Sequence, residues 1–347
     1  MTRLASPAEM LRRIRSRADG RLRSLPVLVL TVHSACNCRC VMCDIWKANA
    51  VRRELTPSDL DRHVAAIERL RVTRVVLTGG EPLLHTNLWA LCRRLKPLGI
   101  RLTLLSTGLL LERHAADIVR WCDDVIVSID GSRSVHDRIR RVERAYDRIA
   151  SGIAALRARA GALPVSGRCV VQRANVSDLS NIVAAAHALT LDRISFLAAD
   201  VTSAAFNRPA PWDDERRAEV AIGPEDLPRL HDAVAALVRT SSDDFASGFI
   251  EPGPDGLWHI VEYYRALAGR GRFPALSCNA PWVSAVLETD GAVRPCFFHP
   301  AYPRGETLES TINSDAAIAF RQQLDVGRNA TCAQCVCRLN LGVVRSG

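Results

Sequence analysis

Cys36, Cys40 and Cys43 stand in a C-x3-C-x2-C spacing within the stretch Thr31 to Trp46, TVHSACNCRCVMCDIW. Thiolates hold iron–sulfur clusters, and a 4Fe-4S cube normally takes four of them. Three on so short a loop can hold three corners of one cube and leave the fourth iron open to a small molecule. Zinc is the competing chemistry, but zinc sites pair C-x2-C with a second such pair or with two spaced histidines. The nearest extra donors, His33 and Cys38, do not complete that pattern, and Cys38, lying between the ligands, reads as a non-ligand. Buried structural thiols would not crowd four into the eight residues of this polar loop.

A second set lies further along: Cys278 in Ser-Cys-Asn-Ala-Pro-Trp, Cys296 after Asp-Gly-Ala-Val-Arg-Pro, then Cys332-x2-Cys335, with Cys337 as a spare. Asp290-Gly291 is a hairpin signal between 283–288 and 292–294, and such a hairpin brings Cys278 and Cys296 toward the same end. Four of these thiolates would close a second 4Fe-4S cluster, suited to electron transfer more than to substrate chelation; a structural zinc site is the alternative. Either Cys335 or Cys337 can complete the set. Cys92, Cys122 and Cys169 fall inside expected helices or strands and read as small core residues.

The elements that position these residues follow from hydrophobic period. A capping box with proline at the first helical position, Ser6-Pro7-Ala8-Glu9, opens a basic surface helix to about Arg17. Pro26 to His33 reads as a strand buried on both faces, and the cysteine loop follows it directly. Thr56 to Asp59 opens a helix with Leu60, Val64, Ile67 and Leu70 at helical spacing. Further strands are expected at 72–78, 100–105, 125–129, 165–171 and 193–198, with helices near 88–96, 110–120 and 178–189. Each strand ends in small or polar residues: Gly79-Gly80-Glu81-Pro82, Ser106-Thr107-Gly108, Ser128-Ile129-Asp130-Gly131, and Gln172-Arg173-Ala174-Asn175. Six strands with intervening helices predict an α/β chain with a parallel sheet and right-handed crossovers, either open or a partial barrel. Ligands bind such sheets at the carboxyl ends of the strands. The pattern fails over 200–221, resumes in a helix at 224–239, gives way to a Ser-, Gly-, Asp- and Pro-rich linker or mobile loop at 241–256, and resumes in a helix at 257–268.

Together the C-x3-C-x2-C loop after the first strand and Gly79-Gly80-Glu81-Pro82 after the second resemble the radical S-adenosylmethionine superfamily. Met42 stands where that family usually carries an aromatic residue. The resemblance implies a partial (β/α)6 TIM-like barrel, and S-adenosylmethionine chelating the open iron through its amino and carboxylate groups. The reduced cluster would cleave it to methionine and a 5'-deoxyadenosyl radical that abstracts hydrogen. Gly79 and Gly80 would let backbone approach the cofactor, with a carbonyl or the Glu81 carboxylate accepting from its amino group and Pro82 completing the turn. Ser128 and Asp130 resemble the family's polar contacts to the ribose and methionine parts; their other reading is turn formation before Gly131. Ser106, Thr107 and Asn175 share the strand-end placement, and Arg140 or Arg173 is a candidate for the methionine carboxylate. The segment 278–347 resembles the twitch domain, a shortened SPASM domain found in 2-deoxy-scyllo-inosamine dehydrogenase-type enzymes and some peptide-modifying enzymes. The chain then divides into a basic helical extension (1–25), the barrel (26–240), a linker and helix (241–277) and a hairpin-plus-helix auxiliary-cluster domain (278–347).

Composition sets the remaining bounds. The formal charge of +9, from 46 basic and 37 acidic residues in 347, comes with no compact basic run interleaved with aromatics, which argues against nucleic acid. The longest apolar run, Leu25 to Val32, is eight residues, far short of the ~18 that a membrane span needs. Twelve cysteines without a secretory signal point to metal or redox chemistry in a reducing cytoplasm. The leading expectation is a radical enzyme that oxidises a small aminocyclitol- or sugar-like molecule by two electrons. An auxiliary 4Fe-4S cluster would take the second electron, and flavodoxin or ferredoxin would supply reductant. Peptide cross-linking or epimerisation is the alternative within the superfamily, disfavoured by the short stretch before the first strand. A zinc-stabilised basic nucleic-acid-binding protein is the alternative of another class, which would lose affinity steeply with salt.

Overall fold

The computed structural model describes residues 6–341, so 1–5 of the expected extension and 342–347 of the expected C-terminal domain lie outside it. Its strands are β1 (Val27–His33), β2 (Arg74–Gly79), β3 (Arg101–Ser106), β4 (Asp124–Ser128), β5 (Val165–Val171), β6 (Arg193–Ala198), β7 (Ile250–Glu251), β8 (Ser284–Leu287) and β9 (Val293–Arg294). They form one nine-stranded sheet in the order β7-β6-β5-β4-β3-β2-β1-β8-β9. From β1 to β7 neighbours pair in parallel in chain order, each joined to the next through helical crossover segments, as parallel pairing demands. This is the α/β partial barrel expected.

The two faces of the sheet differ. Along β4, β5 and β6 buried residues alternate with half-buried or exposed ones. Val125, Val127, Val165, Cys169, Ile194 and Phe196 join the core under the helices, so Ser128, Arg168 and Ser195 project from the other face, which a barrel turns inward. The helix Pro57–Arg69 starts as its sequence dictates: Thr56 and Asp59 exchange side-chain-to-backbone hydrogen bonds at 3.1 Å each, a complete capping box.

Two helices between β4 and β5, Arg133–Arg140 and Ala145–Arg159, are absent from the expected series. The signal for the second exists, since Tyr146, Ile149, Ile153 and Leu156 keep helical spacing and are buried. Arginines crowd the junction, where Arg141 and Arg144 take left-handed φ of 53° and 56°. The expected linker at 241–256 is structured instead: it holds a helix, Ser242–Ala246, and β7, which extends the sheet beside β6. A two-residue strand is too short to show a period. The interrupted stretch 200–221 likewise carries a helix, Asp214–Val220, capped by Asp213.

The Asp290-Gly291 hairpin forms, with Gly291 at φ 82°, but it does not stand apart from the barrel. β8 pairs in parallel with β1, from Val27↔Ser284 to Leu30↔Leu287, and β9 returns antiparallel. Thr31 Oγ1 donates to Glu288 Oε2 at 2.6 Å, fastening the hairpin beside the strand that leads into the first cysteine loop. Of the C-terminal helices, Leu308–Ile312 packs against Pro57–Arg69, and Asp315–Gln323 reaches back to the N-terminal helix Pro7–Asp19. There buried Arg321 donates to Gly20 O at 2.6 Å, to the Tyr302 hydroxyl at 3.1 Å and to Ile312 O. No helix among the described residues is long and apolar enough to cross a membrane.

Candidate active site at the carboxyl ends of the strands

The first cysteine loop is held from three sides. Asn49 clamps Cys36, accepting its N–H at 2.9 Å and donating to its carbonyl at 2.8 Å. The Trp46 indole donates to Cys43 O at 2.9 Å. Arg39 and Val41 donate backbone N–H groups to Arg140 O and Ile139 O at the end of a crossover helix. The end of β2 makes the fourth wall, where Gly80 N donates to His33 O at 2.8 Å and Glu81 N to Ala35 O at 2.9 Å.

Gly79 and Gly80 are needed here for packing within the protein. A Cβ on Gly79, whose φ is 137°, would land on the His33 carbonyl, and one on Gly80 would land on the Ala35 carbonyl. The glycines thus admit the cysteine loop itself. Pro82 is buried in the turn that follows.

Glu81 is fully buried. One carboxylate oxygen accepts Leu83 N at 3.0 Å and Ser106 Oγ at 2.9 Å, and the other accepts Thr107 N at 2.7 Å. Ser106 Oγ accepts Gly108 N at 3.0 Å, and Thr107 Oγ1 donates to Asn37 of the cysteine loop at 3.0 Å. Burial pushes the Glu81 carboxyl up, against the pull of these donors. Glu81 and Ser106 therefore join two strand ends to the loop.

Asp130 and Asn175 also bind protein groups. Asp130 Oδ2 pairs with Arg140 Nη2 at 2.5 Å and Oδ1 accepts Val170 N at 2.9 Å. Asn175 Nδ2 donates to Asp130 O at 2.9 Å and Val170 O at 3.0 Å, and its Oδ1 accepts Gln172 N at 2.8 Å. Arg140 continues to Cys40, its Nη1 lying 3.5 Å from the sulfur. The Cys40 thiol is lowered to about 6 by hydrogen bonding from Cys38, with the Arg140 guanidinium adding to the effect. Cys38 itself is pushed up by its bonds to Cys36 and Cys40. Burial raises Cys43 to about 12, with repulsion from Cys40 and Cys36 added.

Of the two arginines singled out for a carboxylate, Arg140 is committed to Asp130. Arg173 pairs with Glu225 at 3.3 Å and Asp226 at 3.2 Å. The arginine that sequence reasoning missed is Arg168. It sits in register between Ser128 on β4 and Ser195 on β6, on the inward face, and its guanidinium makes no ion pair or hydrogen bond among the described residues. Ser128 is half-buried beside it.

The second cysteine set gathers through a backbone clasp. Asn279 N donates to Leu339 O at 2.8 Å, and Asn279 exchanges side-chain hydrogen bonds of 2.9 and 3.0 Å with Leu341. That draws the 332–337 turn toward Cys278. Asn329 Oδ1 accepts Cys332 N at 3.1 Å, and Cys335 donates its thiol to Cys337 O at 2.8 Å. His299 Nε2, which sequence reasoning missed, lies 3.2 Å from Cys332 Sγ. Burial raises the Cys296, Cys332 and Cys335 thiols, Cys332 to about 11, and repulsion from the other cysteines of the set contributes to each. Cys337 is the exposed one of the five. Cys92, Cys122 and Cys169 are buried core residues. Among the described residues no three His, Cys, Asp or Glu side chains converge on a single-ion site. The fit to iron–sulfur clusters rests on the donors: two groups of soft thiols, mutually repelling and partly desolvated, which a positively charged cluster would deprotonate.

A strap over 200–216 joins the two cysteine sets. At one end the Trp212 indole donates to Asp44 Oδ2 at 2.7 Å, next to Cys43, and Asn207 donates to Asp44 O at 3.3 Å. At the other, Phe206 stacks on Phe297 with ring centroids 6.4 Å apart and meets Phe298 edge-on, beside Cys296. Between them Arg208 is buried, donating to Asp200 Oδ2 and Asp200 O at 2.8 Å each, with its guanidinium 4.0 Å over the Trp212 ring.

Comparison with known proteins agrees with this geometry. Residues 30–184 match the radical SAM superfamily model, and residues 278–336 match the model of the SPASM iron–sulfur cluster-binding domain. Pre-heme d1 synthase of Dinoroseobacter shibae is 30% identical over 161 residues, 46% of this chain and 39% of its own. GTP 3',8-cyclase of Rhodopseudomonas palustris is 31% identical over 176 residues, 48% and 51% of the two chains. The chain thus spans about two fifths to one half of the length of these curated relatives. Among solved structures, Streptococcus suis SuiB bound to precursor peptide SuiA superposes with a TM-score of 0.60 at 15% identity, over 98% of this chain and 78% of that one. Native anSMEcpe with bound AdoMet superposes at 0.63 and 16% identity, over 85% and 82%. At such identities the likeness is one of fold.

Proposed function

We propose that this chain, which carries a radical SAM domain and a C-terminal SPASM iron–sulfur domain, oxidises a small polar molecule by two electrons. Both domains are kinds that carry 4Fe-4S clusters, with S-adenosylmethionine the cofactor of the first. Cys36, Cys40 and Cys43 would hold the first cluster, and Cys278, Cys296, Cys332 and Cys335 the second, with the exposed Cys337 left over. When bound and reduced, the first cluster supplies the electron that releases methionine and a 5'-deoxyadenosyl radical from S-adenosylmethionine. In balance, the substrate would lose one hydrogen atom to that radical, one electron to the second cluster and one proton to solvent or a base. An external one-electron reductant such as flavodoxin or ferredoxin would recharge the first site.

The protein's own groups have distinct tasks in this reading. Arg168 and Ser128, on the inward face, would take the carboxylate of S-adenosylmethionine, a charge-assisted contact. A backbone carbonyl of the Gly79–Glu81 turn would accept from its ammonium. Glu81, Ser106, Asp130 and Asn175 would keep the strand ends in place. The Arg140 guanidinium beside Cys40 would favour a thiolate there.

The observation that carries the reading is the strap: it contacts Asp44 next to Cys43 and Phe297 next to Cys296, so one short segment borders both cysteine sets. That favours consecutive hydrogen-atom and electron removal from one bound substrate. Deuterium transfer from labelled candidate substrates into 5'-deoxyadenosine tests it. Replacing Cys278 and Cys296 with alanine should leave cofactor cleavage measurable and stop product formation; full turnover in that variant removes the electron-acceptor role. A second reading, modification of a residue within a peptide, draws on SuiB, solved with its precursor peptide SuiA. The same labelling with peptide substrates tests that one.

A further inference from the structure

We infer that the N-terminal helix Pro7–Asp19 docks the protein reversibly on an anionic lipid surface, with an apolar stripe of the helix lying at the boundary between headgroups and acyl chains. This does not rest on the radical chemistry proposed above.

The helix packs the wrong way round for a fold surrounded only by water. Pro7, Leu11, Ile14 and Ala18 fall at i, i+4, i+7 and i+11, one stripe of a helical surface, and all four are exposed. Leu11 and Ile14 are 47% and 49% exposed, and among the described residues Val51 is the one other large apolar side chain left so open. The polar side of the helix is the one that meets the protein. There Ser16 is buried and its Oγ accepts Arg23 N at 3.0 Å. Gln322 donates to Asp19 O at 2.9 Å, and the Arg17 guanidinium lies 4.8 Å over the Trp282 ring. A surface helix ordinarily turns its apolar stripe to the core and its charges to water. Here the stripe faces out, and no described residue covers it.

The charges beside the stripe name its occupant. Arg12 and Arg13 are paired with Glu9, and Arg23 with Asp19. Arg15, next to Ile14, and Arg21, just past the helix, are exposed and make no ion pair among the described residues. An arginine stem can lie along an apolar surface with its guanidinium held out at the level of lipid phosphates. A second copy of the chain on the same stripe would press like charges together. A folded protein partner needs about 20–30 residues a side for a stable interface, and the stripe offers four. A helix lying in the headgroup boundary needs no matching surface. The chain leaving this helix enters the amino end of β1, and Ala280–Val283, which packs against it, enters the amino end of β8. A membrane on this side leaves Cys36, Cys40 and Cys43 at the far ends of the strands.

The test is co-sedimentation of the full, anaerobically reconstituted chain with vesicles of phosphatidylglycerol or of phosphatidylcholine, at low and high salt. The expected result is binding to phosphatidylglycerol that weakens with salt, and at least about tenfold weaker binding to phosphatidylcholine. Leu11→Gln with Ile14→Gln, in side chains that stand in solvent, should lower the affinity for phosphatidylglycerol at least about tenfold with iron content and melting temperature at the wild-type level. Arg15→Gln with Arg21→Gln should lower it by a similar factor and flatten the salt dependence. Arg270→Gln with Arg272→Gln, which removes two exposed arginines elsewhere, should stay within about twofold of wild type, as mere adsorption of a basic chain would not. No binding of phosphatidylglycerol vesicles by the wild type, equal binding of both lipids, or unchanged binding in the Leu11 and Ile14 variant overturns the inference. So does equal loss in the Arg270 and Arg272 variant. A wild-type dimer in light scattering that the Leu11 and Ile14 substitutions dissolve, without vesicle binding, gives the stripe to a second copy and overturns it too.

Discussion

Trp212 reaches across the mouth of the barrel and donates its indole N–H to Asp44 Oδ2 at 2.7 Å, so the residue that follows Cys43 is tied to a segment more than 160 residues further along the chain. Lys47 supports the same carboxylate through its other oxygen at 3.0 Å. Hydrogen bonds to charged groups contribute about 1.5–3 kcal/mol. Trp212→Phe should therefore lower stability by about that amount in denaturant titrations, and should make the 200–216 strap the first site of limited proteolysis. Wild-type stability and cleavage pattern would contradict the fastening role.

Arg168 stands in register between Ser128 and Ser195 with no ion pair of its own among the described residues. If it meets the carboxylate of S-adenosylmethionine, Arg168→Ala should raise the concentration of that cofactor needed for half-maximal 5'-deoxyadenosine release by at least about tenfold, the equivalent of ~1.4 kcal/mol. Arg168→Lys should fall between. Arg173→Ala, in an arginine already paired with Glu225 and Asp226, should stay near wild type. The reverse ranking would assign the carboxylate to Arg173.

His136 makes the stability of the barrel pH-dependent. Burial, with the field of Arg140 added, drops its imidazole from 6.5 to about 3, while Nδ1 accepts Asp130 N at 3.1 Å. The folded pKa lies below the unfolded one, so the unfolded chain takes up the proton first. The contribution is fully present above about pH 6.5 and is lost as pH falls toward 3. His33, His63, His114 and His299 are lowered as well, so the wild-type slope is a sum. In urea titrations between pH 4 and 7, His136→Phe should be shallower than wild type by up to about one proton. Equal slopes would mean that His136 is not held neutral.

His299 Nε2 lies 3.2 Å from Cys332 Sγ. Its ring is set edge-on to Phe320 with centroids 5.1 Å apart, and its carbonyl accepts from Arg294 Nη1 at 3.2 Å. Hydrogen bonds to cluster sulfurs stabilise the reduced state and raise the potential. His299→Phe should shift the auxiliary cluster to a more negative midpoint potential in an EPR-monitored titration, leaving the signal of the S-adenosylmethionine cluster in place. An unchanged potential would make His299 a packing residue.

Strands β1 to β6 are legible in the sequence because each is an apolar run closed by small or polar residues, and both cysteine sets because thiol spacing is itself a ligand pattern. What stays hidden depends on distant pairing. Gly79 and Gly80 read as a turn, yet the reason for them is the His33 and Ala35 backbone, which only the β1–β2 register brings there. Glu81, Ser106, Asp130 and Asn175 have the polarity of ligand contacts, and the partners they have in the folded chain are its own groups, which only the fold brings to them. Arg168 is one arginine among many until the sheet sets it beside Ser128. The strap has no period to read: its order comes from one buried ion pair, Asp200–Arg208, and from Trp212 and Phe206 packing against segments far away in the chain.

In the proposed reading Cys36, Cys40 and Cys43 hold a cluster that cleaves S-adenosylmethionine. The direct measurement is 5'-deoxyadenosine released by the anaerobically reconstituted, dithionite-reduced full chain, with protein carrying alanine at all three positions run in parallel. The wild type, holding about eight irons in two cubes, should release it, and the triple variant should release none. No release from fully iron-loaded wild type, or equal release from both proteins, would contradict it.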